Sequence, residues 1–381
     1  MLGWALLADV IPLYPLYALL FADSGLSGAE ISALFAIWSA VGVVAEVPSG
    51  ALADRFSRRA CLVAAGVLQA FGYGAWVLLP SFAGFALGFV LWGLGGVLVS
   101  GAQEALLYDG LVAAGAEEQY ARVNGWVTAA ELIAQLPAAL AATVLYAVGG
   151  FPLVGWVSVG VCLAAAAMAS RLPEPPRGSG TDEDPEDELG YLATLRAGLV
   201  VAANRPGVRA VVVATALLAA FDAVEEYFPL IVAGWGVPTA FVPVADLPIV
   251  LAGVVGAALA GRAGRLGSVS LAVVLAAAMF LFGAAGLADH PAGIAAVAVF
   301  YGAYRCVLVV VDARLQERIE SRSRATVTSV AGVGTDIATF GVYAAWAVGS
   351  IPLVAALGVL IAVALPRLLR APVAPDVTRS G

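Results

Sequence analysis

The sequence predicts an all-α polytopic membrane protein with twelve transmembrane helices in two pseudo-symmetric six-helix bundles, and three observations carry that prediction. With 62 % hydrophobic and 12 % charged residues and a mean hydropathy of +0.96, the 381-residue chain is too apolar for a water-soluble fold. Its apolar residues fall in continuous stretches, and a helix of about 20 such residues crosses the roughly 30 Å hydrocarbon core. All but one of the 19 basic residues, every one an arginine, fall in alternate gaps between those stretches.

Taken in order, the first stretch, 2–22, starts beside Met1 without a basic leader or a small-residue cleavage pattern, so it reads as a retained helix. An arginine-free gap around Asp23 leads to 29–49, and Arg55, Arg58 and Arg59 separate that from 59–79. Pro80 marks an arginine-free gap before 82–107; Arg122 precedes 123–147; the gap around Gly150 precedes 152–170. Arg171, Arg177, Arg196, Arg205 and Arg209 accompany a long central segment, after which 208–233 and 239–260 flank the arginine-free gap at Gly236. Arg262 and Arg265 precede 267–287, and the gap at His290 precedes 292–311. Arg314, Arg318, Arg322 and Arg324 precede 325–348, Gly349 marks the last arginine-free gap, and 351–366 ends before Arg367, Arg370 and Arg379. Because cytoplasmic loops collect arginine, both termini are expected inside, at the cell membrane. A β-barrel would show short alternating segments instead of these runs.

The expected domains are an N-terminal six-helix bundle over 1–170, a cytoplasmic linker over 171–207, a C-terminal six-helix bundle over 208–370 and a cytoplasmic tail over 371–381. The linker opens with Pro173, Pro175 and Pro176 and carries an acidic run from Asp182 to Glu188; residues 189–203 form either a short interfacial helix or a tether. Three matches relate the halves: Ala51–Arg58 with Ala258–Arg265, Gly101–Glu104 with Gly302–Arg305, and Tyr14-Pro15-Leu16 with Phe228-Pro229-Leu230. They keep one order, as a parallel duplication would, and a parallel repeat of six spans is a recurrent plan for secondary transporters.

Other function classes find little support. Cys61, Cys162 and Cys306 have no metal-like or disulfide spacing, the single His290 falls in an outer loop, and no Gly-rich phosphate loop is present. No enzyme activity, cofactor or metal is therefore expected, and an intramembrane enzyme or a scaffold is the competing class. The net charge of −8 gives no basic footprint for nucleic acid. The expected partners are a small-molecule substrate, protons and the lipid bilayer, with the chain a monomer.

Ionisable residues inside spans cost about 2.5 to 3.5 kcal/mol each at a helix centre, so they mark pairs or functional sites. Asp9, Glu104, Glu131, Asp222, Glu225, Glu226, Asp246, Arg305 and Asp336 all fall inside predicted spans. Arg305 is the basic residue that breaks the alternation and demands a carboxylate. The matched fourth and tenth spans point to Glu104, or alternatively Glu131, as that partner. Asp222 and Glu225, three apart on one helical face, are the expected proton relay, with Asp9 the next candidate. Asp9, Glu104, Glu131, Asp222, Glu225 and Arg305 are thus the expected substrate and proton pathway. Trp38, Tyr73, Trp92, Trp126, Tyr227, Tyr301, Tyr304 and Tyr343 would give a cavity an aromatic lining suited to amphiphilic solutes.

The segment Gly50-Ala51-Leu52-Ala53-Asp54-Arg55-Phe56-Ser57-Arg58-Arg59 closely resembles the loop signature of the major facilitator superfamily, with Ser57 in place of a glycine. Glu46–Gly50, Glu104–Asp109 and Arg324–Ser329 resemble a bacterial, drug-exporter-like branch of that family. The resemblance implies proton-coupled export of drugs or natural products by alternating access, and a gating role for Gly50, Asp54, Arg55, Arg58 and Arg59. Two family patterns are missing. Leu91–Gly96 has no arginine, and Glu131–Ala139 keeps Pro137 but has alanines where glycines are usual, which weakens proton antiport and the direction of export. Uptake symport or uniport is the alternative.

Overall fold

The computed structural model describes residues 1–55, 57–174, 206–319 and 324–370, with the side chains of 46–55, 206 and 324–326 also outside the described residues. All regular structure among them is helical, and the chain divides into two compact units: Met1–Glu188 with Pro238–Val244, and Leu189–Val237 with Ala245–Gly381.

The first unit opens on a broken span. Helix α1 (Leu2–Asp9) stops where Pro12 and Pro15 withhold backbone N–H groups, a 3-10 turn covers Tyr14–Leu16, and α2 (Tyr17–Asp23) resumes. A backbone N–H left unpaired inside a membrane is costly. Leu13 N–H escapes that cost by donating to the fully buried Ser158 Oγ at 2.9 Å. Helix α3 (Gly28–Arg55) begins with a capping box, Glu30 accepting from Ser27 N–H at 2.8 Å while Ser27 Oγ accepts from Glu30 N–H at 3.3 Å. Ser57 and Ser81 cap α4 (Arg58–Leu78) and α5 (Phe82–Ala113) through Ala60 N–H and Gly84 N–H.

Helices α4 and α5 approach to backbone contact, since a Cβ on Gly72 would lie 2.8 Å from Gly88 O. Trp76 donates Nε1–H to Phe85 O at 2.9 Å and packs its ring 5.6, 5.2 and 4.9 Å from Tyr17, Phe21 and Phe89. Helix α6 (Tyr120–Ala169) breaks at Gly149 and Gly150, the latter at φ 60, ψ −162, a region open essentially to glycine alone.

The second unit also opens on a broken span: α7 (Pro206–Ala219), a 3-10 segment over Ala220–Tyr227, then α8 (Phe228–Gly234). Eight residues is long for a 3-10 helix, whose hydrogen bonds are poorer than those of an α-helix. Helices α9 (Val242–Ala263), α10 (Ser268–Ala288), α11 (Gly293–Arg318) and α12 (Arg324–Arg370) follow. Helices α9 and α11 meet so closely that a Cβ on Gly256 would overlap Gly302 O.

Among the described residues, ten helical spans are long and apolar enough to cross a membrane, and two of these, Glu117–Ala169 and Val327–Arg370, are 53 and 44 residues long. Each is about twice what one crossing needs, and each is broken once, at Gly149–Gly150 and at Ser350. The two breaks share a sequence: Gly149-Gly150-Phe151-Pro152-Leu153-Val154 matches Gly349-Ser350-Ile351-Pro352-Leu353-Val354. That match adds to the three repeats found from sequence; Tyr14-Pro15-Leu16 forms the 3-10 turn of the first unit, and Phe228-Pro229-Leu230 directly follows the 3-10 segment of the second. The suggested helix over 189–203, the acidic run and the tail over 371–381 lie outside the described residues.

Candidate functional site

The intramembrane charges sort into two separate groups, one in each unit. In the second unit the 3-10 segment sets the geometry, because three residues per turn stack Asp222 directly over Glu225. Tyr301, Tyr304 and Arg305, three and four residues apart on α11, present one face to them. Arg305 Nη1 donates to both Asp222 oxygens at 2.8 Å. The Tyr304 hydroxyl donates to Leu218 O at 2.8 Å and lies 3.2 Å from Asp222 Oδ1; the Tyr301 hydroxyl donates to Glu225 Oε2 at 2.7 Å. Gly253 leaves room for the Tyr301 ring, where a Cβ would come within 2.5 Å.

The Arg305 and Asp222 side chains are 32 % and 40 % exposed, so the pair is open on one side while Tyr301 and Tyr304 are buried behind it. Asp246 on α9 is within electrostatic reach of Glu225, and its Oδ1 is buried with no hydrogen-bond partner among the described residues. Arg305 thus pairs with one carboxylate of a group of three, an imbalance that protons or a cation would relieve.

The carboxylate that holds Arg305 is therefore Asp222, not Glu104 or Glu131 as the matched spans suggest. The switch from α-helix to 3-10 carries Asp222 to the guanidinium, and Glu104 is exposed in the first unit. Gln103, about 100° around the helix from Glu104, instead donates Nε2–H to Glu131 Oε1 at 2.7 Å.

Gln103 and Glu131 belong to the second group, which lines a cavity of about 240 Å³ inside the first unit together with Trp4, Asp9, Gln69 and Ser100. Asp9 ends α1 at the break, where the last helical carbonyls lose their intrahelical partners. Glu226 and Asp336 are half-buried in the second unit.

A third arrangement lies at the arginine-rich loop. Arg58 forms an ion pair with Asp109 of α5 and donates Nη1–H to Ala105 O at 3.1 Å. Glu174 accepts from Ser57 Oγ at 2.5 Å and from Arg58 N–H at 2.8 Å, with Arg59 Nε 3.9 Å away. Burial pushes the Glu174 carboxyl up, but the hydrogen bonds from Ser57 and from the Arg58 and Arg59 N–H groups, with the Arg59 charge, hold it below the ordinary value. These partners of Arg58 and Arg59 all lie in the first unit, and the side chains of Gly50, Asp54 and Arg55 lie outside the described residues.

Of the aromatic residues expected to line a cavity, Tyr73, Tyr227, Tyr301, Tyr304 and Tyr343 are buried in packing instead. Trp38 and Trp92 stack at 5.2 Å, and Trp126 lies under Arg122 at 4.8 Å. Sequence reasoning missed Gln103, Asp109 and Glu174 as partners of Glu131, Arg58 and Ser57 in the first unit; the i, i+3, i+4 spacing of Tyr301, Tyr304 and Arg305 was the readable signal in the second.

Broken first spans with carboxylates beside them, in a chain of repeated apolar helices, are a transporter's construction. Residues 1–342 match the Major Facilitator Superfamily. The chain belongs to that superfamily. As a Major Facilitator Superfamily member it is a multi-pass membrane protein of the lipid bilayer that transports small molecules, and it is not an enzyme. No curated protein matches the chain. Among solved structures, a nucleoside transporter is similar with a TM-score of 0.74 at 12 % identity, covering 97 % of this chain and 98 % of that one. A D-xylose–proton symporter gives 0.68 at 17 % identity, with 97 % and 96 % covered. A bacterial homolog of the human lysosomal transporter Spinster, inward-facing and occupied, gives 0.67 at 15 %, with 97 % and 90 % covered. At such identities these likenesses concern the fold alone.

Proposed function

We propose that this superfamily member is a secondary active transporter that exports small amphiphilic molecules, drugs or natural products, in exchange for protons by alternating access. Counted at their breaks, the two double-length helices bring the crossings to twelve. The chain works as a monomer in the cell membrane with both termini in the cytoplasm, as the arginine distribution supports.

The observation that carries the proton step is Arg305 held by Asp222 on a 3-10 segment, with Glu225 and Asp246 alongside. A proton arriving on one of these carboxylates changes the balance of negative charge around the guanidinium. Arg305 is then free to turn toward another carboxylate, and the weakly bonded 3-10 segment is the element that yields. Arg58, Asp109 and the loop signature around Asp54 supply the gate.

Uptake symport is the second reading, favoured by the missing glycine run in Glu131–Ala139. Proteoliposomes with an imposed pH gradient and a panel of lipophilic cations, neutral drugs and sugars test both. Gradient-driven accumulation of an amphiphile against proton flow supports exchange, accumulation with proton flow supports symport, and flux indifferent to the gradient removes proton coupling.

A further inference from the structure

We infer that the cavity of the first unit is a binding site for a small organic ammonium that also bears a hydrogen-bonding group. Asp9 and Glu131 line it within electrostatic reach of each other, and none of its lining residues is basic. The end of α1 at Asp9 adds the negative pole of a helix to the same wall. Gln69, Gln103 and Ser100 offer both donors and acceptors. Trp4, which is 3 % exposed, lines the cavity too, and its Nε1–H has no acceptor among the described residues, a donor that a ligand oxygen would satisfy.

The volume of about 240 Å³ is too large for a bare ion and lies just below the roughly 300 to 1,000 Å³ of drug-sized ligand sites, which suits a small solute. No group of His, Cys, Asp or Glu among the described residues is arranged to hold a metal ion. A zwitterionic lipid headgroup would bring a phosphate toward two carboxylates, so a free solute is the occupant. The inference rests on the transporter reading for its meaning as a cargo site, but binding is measured without any gradient, so its failure and a failure of flux are separate results.

Equilibrium dialysis of the purified full chain in lipid-free detergent, with radiolabelled choline as probe, tests it. Choline binds, and its neutral isostere 3,3-dimethylbutan-1-ol competes at least about tenfold more weakly, which needs no variant. Glu131→Gln and Asp9→Asn each weaken choline by about tenfold, Gln103→Ala by several-fold, and Glu131→Asp keeps most of the affinity. Absent choline binding, equal competition by the isostere, equal displacement by sodium at matched ionic strength, or an unchanged affinity in a monodisperse Asp9→Asn/Glu131→Gln double variant each overturns the inference. Displacement of choline by phosphatidylethanolamine at lower concentration than by tetramethylammonium overturns it in favour of a headgroup site.

Discussion

Arg305 and Asp222 are joined through a single guanidinium nitrogen, Nη1, which reaches both carboxylate oxygens at 2.8 Å. Such a pair is easily parted, because no second parallel hydrogen bond fixes the planes of the two groups. It lies between an element with weak internal bonding, the 3-10 segment Ala220–Tyr227, and one anchored by close backbone packing, α11 at Gly302.

Asp222→Asn leaves Arg305 without its counter-charge, and Arg305→Gln leaves Asp222 without its own. Each single change is expected to abolish proton-driven flux and to lower stability by about 1 kcal/mol, a modest figure because the side chains are 32 % and 40 % exposed. The double variant restores part of the stability, since neither member of the pair is left without the other, and restores no coupling. Thermal unfolding in detergent beside flux in proteoliposomes separates the two effects. Coupling recovered in the double variant would make the pair a structural pin.

The repeated plan was legible from the arginine distribution and three short matches, while the charge pairing was not. Spacing along α-helices places Glu104 opposite Arg305 by analogy, yet one residue of rotation turns Gln103 inward and Glu104 outward. Asp222 was readable as a relay candidate but not as the partner of Arg305, because the 3-10 geometry that carries it there is a tertiary outcome with no clear signal in Ala220–Tyr227. The broken first spans did leave a signal in Pro12, Pro15 and Pro229.

Gly256 and Gly261 share helix α9 and differ only in surroundings. A Cβ at Gly256 would overlap Gly302 O, while nothing lies within 4 Å of the one at Gly261. Gly256→Ala is therefore expected to force α9 from α11 and destabilise by about 1 to 3 kcal/mol, and Gly261→Ala to be neutral or slightly stabilising. Paired melting curves decide the matter, and equal shifts would remove the close approach as a stabilising feature.

Ser158 supplies the acceptor for Leu13 N–H at the break in the first span. Ser158→Ala leaves that N–H unmet in a buried setting and is expected to cost about 1 to 3 kcal/mol. Hydrogen exchange at Leu13 is expected to speed up with it. Protection unchanged at Leu13 would mean that the hydroxyl is dispensable.

Glu174 gives a dependence on pH. Its carboxyl is held below the ordinary value in the folded chain, so the folded state binds its proton less readily than the unfolded one. The stability it contributes is complete above the unfolded carboxylate value of about 4.3 and is lost as pH falls through the lowered folded value. Glu174→Gln is expected to flatten that acid limb in unfolding midpoints measured from neutral to acid pH. An acid limb equally steep in Glu174→Gln and wild type would contradict the clasp on Ser57 and Arg58.

Gly150 and Ser350 occupy the same place in matching sequences, both with positive φ, 60 and 48. The backbone there is one that a side chain with a Cβ adopts only under strain, so glycine suits the first break and serine strains the second. Ser350→Gly is expected to relieve the strain by more than the added freedom of the unfolded chain costs, a net gain of about 1 kcal/mol. Gly150→Ser, the reverse exchange at the repeat, is expected to lose about 1 to 3 kcal/mol. Opposite signs in the two melting shifts are the decisive result, because a generic effect of loop polarity would move both in a way unrelated to φ. Should Ser350→Gly destabilise as Gly150→Ser does, the serine hydroxyl would be holding the turn and the two breaks would be alike in sequence only.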